Sequence, residues 1–191
     1  PDKSAVMARA SFGLANLMNR FSVARWFMEK IIGIHRKKLL PDFSFITFEN
    51  WATKFGLIRE NEKYETVLFQ TCYVQHNEPQ IGKDTLAVLE QNKVDCACVT
   101  GLRCCGMPAW EQGDLEKLRL NAKHNLEILI PFVEKGSKVL VINPTCSMMM
   151  RREYKNLLEG EDRERAKILS EAVNDPSEYL WNIRSEERFN T

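Results

Sequence analysis

Three short apolar segments of this chain are each followed, within a few residues, by cysteine. The segments and their cysteines are residues 66–71 with Cys72, residues 94–99 with Cys104 and Cys105, and residues 138–142 with Cys146. Apolar runs of this length are typical of buried strands in a parallel sheet. Because parallel strands must be joined by long crossovers, this repeated order of strand and cysteine constrains the fold more than any other feature.

Helical periodicity fills the intervals between the predicted strands. Amphipathic spacing predicts helices over residues 80–93, 112–135, 148–158, 161–174 and 176–188. The alternation of strand and helix predicts an α/β fold, a parallel sheet with flanking helices built from Rossmann-like βαβ units. In such a sheet the carboxyl ends of the strands lie at one edge, where ligands bind. We therefore expect the cysteines that follow the strands to meet at that edge.

The amino-terminal part of the chain has a different character. Residues 1–60 are expected to form a basic helical arm and linker, and residues 61–191 the cysteine-rich α/β domain. Helical spacing over residues 4–32, with a break near residues 19–22, places apolar residues between basic ones. Two interpretations stay open: a packing arm with a solvated basic side, or a basic amphipathic element that rests on a membrane surface or on a partner subunit.

Charge and composition narrow the classes of function. The formal net charge is +1 and the basic arm carries no nucleic-acid motif, so we expect no nucleic-acid partner. Six cysteines without a secretory signal indicate a reducing compartment, and no apolar run approaches the roughly 20 residues that cross a bilayer. We expect a cytoplasmic protein, free or peripheral on the inner face of the cytoplasmic membrane. Because the sequence starts at Pro1, three interpretations stay open: the chain is a fragment, a processed chain, or one piece of a larger polypeptide.

The residue types in the cysteine segments indicate metal binding. Thiolates select zinc or iron–sulfur clusters, and structural zinc usually takes close pairs such as C-x-x-C, which this sequence lacks. The adjacent Cys104 and Cys105 cannot easily bridge each other, but they can bind different atoms of one cluster. The residues favour an iron–sulfur cluster held by Cys72, Cys104, Cys105 and Cys146, with zinc and unligated or redox-active thiols as alternatives.

Several residues beside these cysteines have predicted supporting roles. Gly106 is expected to let the backbone pass close to a bulky group, and Pro108 to stiffen the loop. Tyr73 and Trp110 are expected to border and shield the site. His76, in a Gln-His-Asn-Glu-Pro sequence, is interpreted as a surface loop residue, with a hydrogen bond to a cluster sulfur as the alternative.

Other candidate residues receive simpler interpretations. Cys96 and Cys98 lie two residues apart on a predicted strand and are expected to be buried structural thiols on one face. Arg103 is interpreted either as a surface residue or as a charge that offsets a thiolate cluster. His124 is assigned no role. Because no nucleophile–His–Asp set is visible, no catalytic residue is predicted.

The ordered set of motifs resembles a known family, the cysteine-rich CCG domain found in the B subunits of heterodisulfide reductases and in their relatives. The resemblance covers roughly residues 35–160, and its nearest branch is that of the anaerobic glycerol-3-phosphate dehydrogenase C subunits. The residues that carry it are His35-Arg36, Leu40-Pro41, Phe45, Thr47-Phe48, Trp51, Cys72-Tyr73-Val74, Asn77, Pro79, Gly82-Lys83-Asp84, Cys104-Cys105-Gly106-Met107-Pro108, Pro144-Thr145-Cys146 and Glu153-Tyr154.

The resemblance implies an iron–sulfur subunit of a respiratory flavin-dehydrogenase complex. Such a protein receives electrons from a flavoprotein dehydrogenase partner, passes them towards a membrane quinone and converts no substrate itself. In the reductase branch the cluster instead cleaves a disulfide, which is one alternative function. A structural or assembly module whose thiols bind zinc or no metal is the other. The family pattern ends in C-x-x-C, whereas here Met149 stands where the last cysteine would be. The four remaining cysteines imply a four-iron cluster, cubane or noncubane.

Overall fold

The computed structural model describes residues 7–11, 13–59 and 62–190. The elements in chain order are α1 (Leu14–Arg20), α2 (Ser22–Ile32), α3 (Phe48–Lys54), β1 (Thr66–Phe69), α4 (Thr71–His76), α5 (Pro79–Gln91), β2 (Cys96–Cys98), α6 (Met107–Glu111), α7 (Leu115–Val133), β3 (Lys138–Val141), α8 (Pro144–Met148), a π-helical segment (Met149–Glu153), α9 (Tyr154–Leu157), α10 (Gly160–Ala172), β4 (Val173–Asn174) and α11 (Pro176–Asn182).

The four strands form one parallel sheet in the order β2-β1-β3-β4. In its centre Val67 of β1 lies opposite Ala97 of β2 on one side and Val139 of β3 on the other. Helices connect successive strands and cover both faces of the sheet. The predicted α/β fold with a parallel sheet and flanking helices is therefore confirmed.

The helices divide the apolar core into two layers, one on each face of the sheet. Val67 and Phe69 of β1 pack with α7 and the helices from α8 to α10. Leu68 points to the opposite face and packs with α3, α5 and α11. All three side chains are buried, because both faces of a parallel sheet are covered by crossover helices.

The fourth strand was not expected from the sequence, which predicted helix through residue 174. The helix instead ends at Ala172, and Val173–Asn174 pairs with β3. The two residues after this strand explain why the helix ends early. Asp175 precedes Pro176, which favours extended backbone, and Asp175 forms a capping box with Glu178 that starts α11. The chain therefore leaves the helix early enough to add a short edge strand.

Two short helices that carry or follow cysteines were also not expected. The helices α4 and α6 have six and five residues, too few for helical periodicity to be recognised. The helix predicted from residue 148 begins earlier, at Pro144, because the Asn143 side chain accepts a hydrogen bond from the Thr145 amide at 2.9 Å. Cys72 and Cys146 therefore both lie in helices, in α4 and α8, and not in loops.

The amino-terminal helices α1 and α2 meet at Phe21, within the break that the sequence predicted. The Arg25 side chain is buried and donates hydrogen bonds to the carbonyl oxygens of His35, Arg36 and Lys38, which folds the following segment back onto α2. Residues 4–6 and 12 of the predicted helical stretch lie outside the described residues. Across the described part of the chain, no helix combines the length and apolar character needed to cross a bilayer.

A charged cluster fixes the carboxyl-terminal segment to the start of the sheet. The Arg188 guanidinium donates to both carboxylate oxygens of Glu65, at 2.7 and 2.5 Å, and the Tyr179 hydroxyl donates to the same carboxylate. The hydrogen bond from Arg188 is the main reason that the pKa of Glu65 lies below its usual range. Folding therefore favours the ionised carboxylate.

The variant Glu65→Gln tests this cluster through the pH dependence of stability. A carboxyl group with a lowered folded pKa stabilises the protein above its unfolded pKa, and this contribution is lost as the pH falls through the folded pKa. We expect the variant to lose about 1 kcal/mol of unfolding free energy at pH 7, because the pair is partly exposed, and to match the parent chain near pH 3. Urea unfolding at both pH values measures this. A constant difference across this pH range contradicts the assignment, and Glu111→Gln, at an exposed site, is the control.

Candidate metal centre

The carboxyl ends of three adjacent strands, β2, β1 and β3, carry the cysteine segments. Cys72 is the second residue of α4, directly after β1, and Cys146 lies in the first turn of α8, after β3. Cys104 and Cys105 lie in the loop between β2 and α6. The strand order places β1 between β2 and β3, so these segments leave the sheet side by side.

The Cys105 thiol lies in contact with the thiols of both Cys104 and Cys146. Cys105 is hydrogen-bonded to Cys104 and to Cys146, and these contacts together with burial raise the pKa of the Cys105 thiol well above its usual range. Cys104, Cys105 and Cys146 are 3%, 2% and 6% exposed and belong to the core layer that faces α7. Segments 41 residues apart in the chain therefore place their sulfur atoms together, away from bulk water.

Cys72 lies at the border of this group. It is half-buried and lines a narrow cleft together with Cys104, Gln75 and His76. The cleft also brings Leu102 and Arg103 against α4, so the Cys72 segment and the Cys104 segment share one wall. Cys72 is thus the most accessible of the four predicted ligands.

The donor set fits an iron–sulfur cluster by its chemistry. It consists of thiols from three segments, and thiolates are the ligands that such clusters take. Within residues 7–11, 13–59 and 62–190, no group of three or more His, Cys, Asp or Glu side chains is arranged to hold a single metal ion. A cluster spreads its irons over several ångströms, so its ligands need not converge on one point. The alternative of zinc gains no support from this arrangement.

The turn that presents Cys72 is strained. Thr71 has φ of +62°, a left-handed conformation that is unusual for a β-branched residue and costs of order 1–3 kcal/mol. The residue joins the end of β1 to α4 and so orients the next residue, Cys72. Its side chain accepts a hydrogen bond from the Val74 amide at 3.4 Å, which helps to hold the turn.

Side chains hold the backbone of the loop that carries the adjacent cysteines. Asn125 of α7 is 0% exposed; its Oδ1 accepts from the Arg103 amide at 2.8 Å, and its Nδ2 donates to the Arg103 carbonyl at 3.1 Å. One turn earlier, Asn121 Nδ2 donates to the Cys104 carbonyl at 3.1 Å. The Tyr154 hydroxyl donates to the Cys105 carbonyl at 3.0 Å. The loop therefore has these polar groups paired although it belongs to neither helix nor sheet.

The sequence did not predict most of the side chains that hold this loop. His124, which was assigned no role, has its Nε2 2.8 Å from the Gly101 carbonyl at the start of the loop. Asn121 and Asn125 were not singled out at all. Their spacing of four residues on the helix face that carries apolar residues was the available signal, because amides on such a face must have partners. We call Asn121, Asn125 and Tyr154 the loop clamp.

The glycine after the paired cysteines is required by packing. Gly106 has φ of +94°, and a Cβ atom at this position would lie 2.1 Å from the Leu118 Cδ1 atom of α7. The bulky group next to the backbone in the structure is therefore the Leu118 side chain. That Gly106 also admits a cluster stays a prediction. Pro108 lies in the first turn of α6, where its ring restricts the chain that leaves the site.

A pair of glycine variants separates the cost of the positive φ from the cost of the overlap with Leu118. Gly106→Ala meets both the unfavourable φ and the overlap with Leu118, so we expect a loss of about 2–4 kcal/mol of unfolding free energy. Gly136→Ala has φ of +97° but no atom within 4 Å of the added Cβ, so it should lose only about 1–2 kcal/mol. Denaturant unfolding of both variants measures the difference, and equal losses would exclude the packing explanation.

The interpretation of His76 as a surface loop residue is wrong. His76 ends α4, is 8% exposed, and its Nδ1 accepts a hydrogen bond from the Arg9 guanidinium at 3.0 Å. Arg9 can only donate, so Nδ1 is unprotonated in this contact. The burial arises from a residue 67 positions away, which sequence spacing cannot reveal. Whether His76 bonds to a cluster sulfur stays a prediction.

The remaining cysteines lie on the other side of the sheet. Cys98 is buried in the opposite core layer and Cys96 packs against that layer. Burial raises the pKa of both thiols to about 12, as expected for structural thiols. The sheet therefore separates Cys96 and Cys98 from the group formed by Cys104, Cys105 and Cys146.

The predicted shielding residues are partly exposed. Tyr73 and Trp110 are 41% and 39% exposed, so each covers part of its segment and presents the rest to solvent. Met149, in the place of the family's last cysteine, is fully buried at the start of the π-helical segment. Its side chain fills the core.

The fold and the cysteine geometry define a cysteine-rich α/β domain. Residues 66–151 match the family described as the CCG cysteine-rich domain, which confirms the resemblance inferred from the motifs. The chain is similar to the C subunit of the anaerobic glycerol-3-phosphate dehydrogenase of Escherichia coli (strain K12), with 27% identity over 169 residues, 88% of this chain and 42% of the relative. It is also similar to lactate utilization protein A 2 of Bacillus cereus (strain AH820), with 29% identity over 118 residues, 61% of this chain and 47% of the relative.

The chain thus spans about half the length of the curated relatives that it matches. No solved structure matches it.

Proposed function

We propose that this chain is an electron-transfer module of a dehydrogenase complex, in which Cys72, Cys104, Cys105 and Cys146 hold an iron–sulfur cluster. The observation that carries the proposal is the contact of Cys105 with both Cys104 and Cys146, which brings together thiols from two separate segments at one edge of the sheet. The similarity to a glycerol-3-phosphate dehydrogenase subunit supports the assignment to a dehydrogenase complex.

The residues around the thiols suit this role. A bound cluster would supply reversible one-electron transfer. The core layer against α7 excludes water from Cys104, Cys105 and Cys146, and a low local dielectric strengthens every polar contact to the site. Cys72 closes the group from the side of α4, where the cleft opens. In this proposal a flavoprotein partner oxidises the substrate.

The acceptor side of the proposal is a membrane quinone, with the amino-terminal arm resting on the membrane surface. Helices α1 and α2 expose a set of large apolar side chains: Leu14, Leu17, Met18, Phe21, Val23, Trp26, Phe27, Ile31 and Ile32. The exposed cations Lys30, Arg36, Lys37 and Lys38 lie beside the end of α2. An apolar face flanked by cations is the pattern that binds the interface of an anionic bilayer.

The cysteine assignment predicts a specific pattern of iron loss. Cys105→Ser removes the thiol that contacts both Cys104 and Cys146, so we expect iron to fall from about four per chain to below about one. Iron and acid-labile sulfide are measured on anaerobically purified protein. Cys96→Ser is the control, because Cys96 lies on the opposite face of the sheet, and it should keep its iron. Equal iron loss in both variants, or a parent chain that holds zinc instead, would contradict the proposal.

The membrane role predicts loss of vesicle binding when the apolar face is charged. Phe27 and Ile31 are one helical turn apart and line the same apolar groove of α2. The double variant Phe27→Asp, Ile31→Asp should bind anionic phospholipid vesicles at least about tenfold more weakly, because each side chain contributes about 1.5–3 kcal/mol when buried.

Cosedimentation with vesicles measures this binding. Trp181→Asp is the matched control, since Trp181 is 65% exposed but lies on α11, outside the arm. If the double variant binds the vesicles as tightly as the parent chain, the membrane role is wrong and the arm is a packing element only.

A further inference from the structure

The carbonyl oxygens of the two adjacent cysteines are each bonded to a dedicated side chain. Asn121 Nδ2 donates to the Cys104 carbonyl and the Tyr154 hydroxyl donates to the Cys105 carbonyl. These donors come from different elements, α7 and α9, and lie 33 residues apart in the chain. Each donor directs the positive end of its dipole at the peptide group of a predicted ligand.

The Tyr154 hydroxyl is itself fixed in direction. Asn125 Nδ2 donates to the Tyr154 oxygen at 3.3 Å, so the hydroxyl proton is left to point at Cys105. Tyr154 and Asn125 are both 0% exposed. A polar network buried this deeply is strongly destabilising unless every member is paired, and here the members form a directed chain that ends at Cys105.

Packing alone does not account for this arrangement. A phenylalanine at position 154 would fill the same volume without a buried hydroxyl, and the loop would still be held at Arg103 by both groups of the Asn125 amide. The hydroxyl adds only a dipole next to the thiol group of Cys104, Cys105 and Cys146.

We propose that Tyr154 and Asn121 are positioning residues that set the reduction potential of the group held by the cysteines. This inference rests on the proposed function. Reduction adds negative charge at the site, and a donor dipole fixed on the peptide carbonyl of an adjacent ligand residue stabilises the reduced form more than the oxidised form. Removal of either donor should therefore make the potential more negative.

The test uses the full chain, purified without oxygen and loaded with iron and sulfide. Tyr154→Phe keeps the ring and removes only the hydroxyl. At the midpoint potential of the parent chain, we expect the ratio of reduced to oxidised cluster to fall about fivefold, the equivalent of one hydrogen bond. Iron content should stay at the parent value. Potentiometric titration followed by electron paramagnetic resonance measures the ratio.

Asn121→Ala provides a second, independent measurement. Asn121 is only half-buried and alanine is a good helix former, so this variant folds even where Tyr154→Phe does not. The ratio of reduced to oxidised cluster should fall in the same direction. Opposite or absent shifts in the folded variants would overturn the inference.

Tyr179→Phe is the matched control. It removes the same hydroxyl from another buried tyrosine, but that hydroxyl donates to Glu65 in the opposite core layer. We expect lower stability and an unchanged potential. An equal shift in Tyr179→Phe and Tyr154→Phe would attribute the effect to general loosening and overturn the inference. A parent chain without iron would overturn the proposed function, and this inference with it, whereas iron-loaded variants with the parent potential overturn the inference alone.

Discussion

The site depends on the two hydrogen bonds between the Asn125 side chain and the backbone of Arg103. The loop that carries Cys104 and Cys105 has no strand or helix to pair its peptide groups, and buried unpaired groups cost about 1–3 kcal/mol each. Asn125 supplies one donor and one acceptor from the buried face of α7. Because α7 packs on the sheet, the position of the adjacent cysteines is fixed relative to the strands.

The parallel sheet brings the cysteine segments together. Its strand order places the segments that follow β1, β2 and β3 next to each other, so Cys146 reaches Cys105 without any local sequence relation. The same sheet separates the cysteines into two sets. Side chains of successive strand residues point to opposite faces, so Cys98 enters the layer under α3 and α5, whereas the cysteines beyond the strand ends join the layer under α7.

Periodicity and strand order were enough to predict the α/β fold and the edge at which the cysteine segments emerge. Short-range patterns could not predict contacts that join distant residues. The burial of His76 depends on Arg9, and the role of Asn125 depends on a loop 22 residues away. The strand Val173–Asn174 was missed because two residues carry no period, and only their pairing with β3 defines them.

The burial of the thiols favours electron transfer over direct reaction with a substrate. A disulfide substrate must bring its sulfur atoms into contact with the reacting group, yet Cys104, Cys105 and Cys146 are each less than a tenth exposed. Cys72 does border a cleft, but that cleft is narrow. Electron transfer needs no such contact; it needs a fixed environment, which the strained turn at Thr71 and the crowded turn at Gly106 provide. A site built this rigidly is suited to changing its charge while keeping its shape.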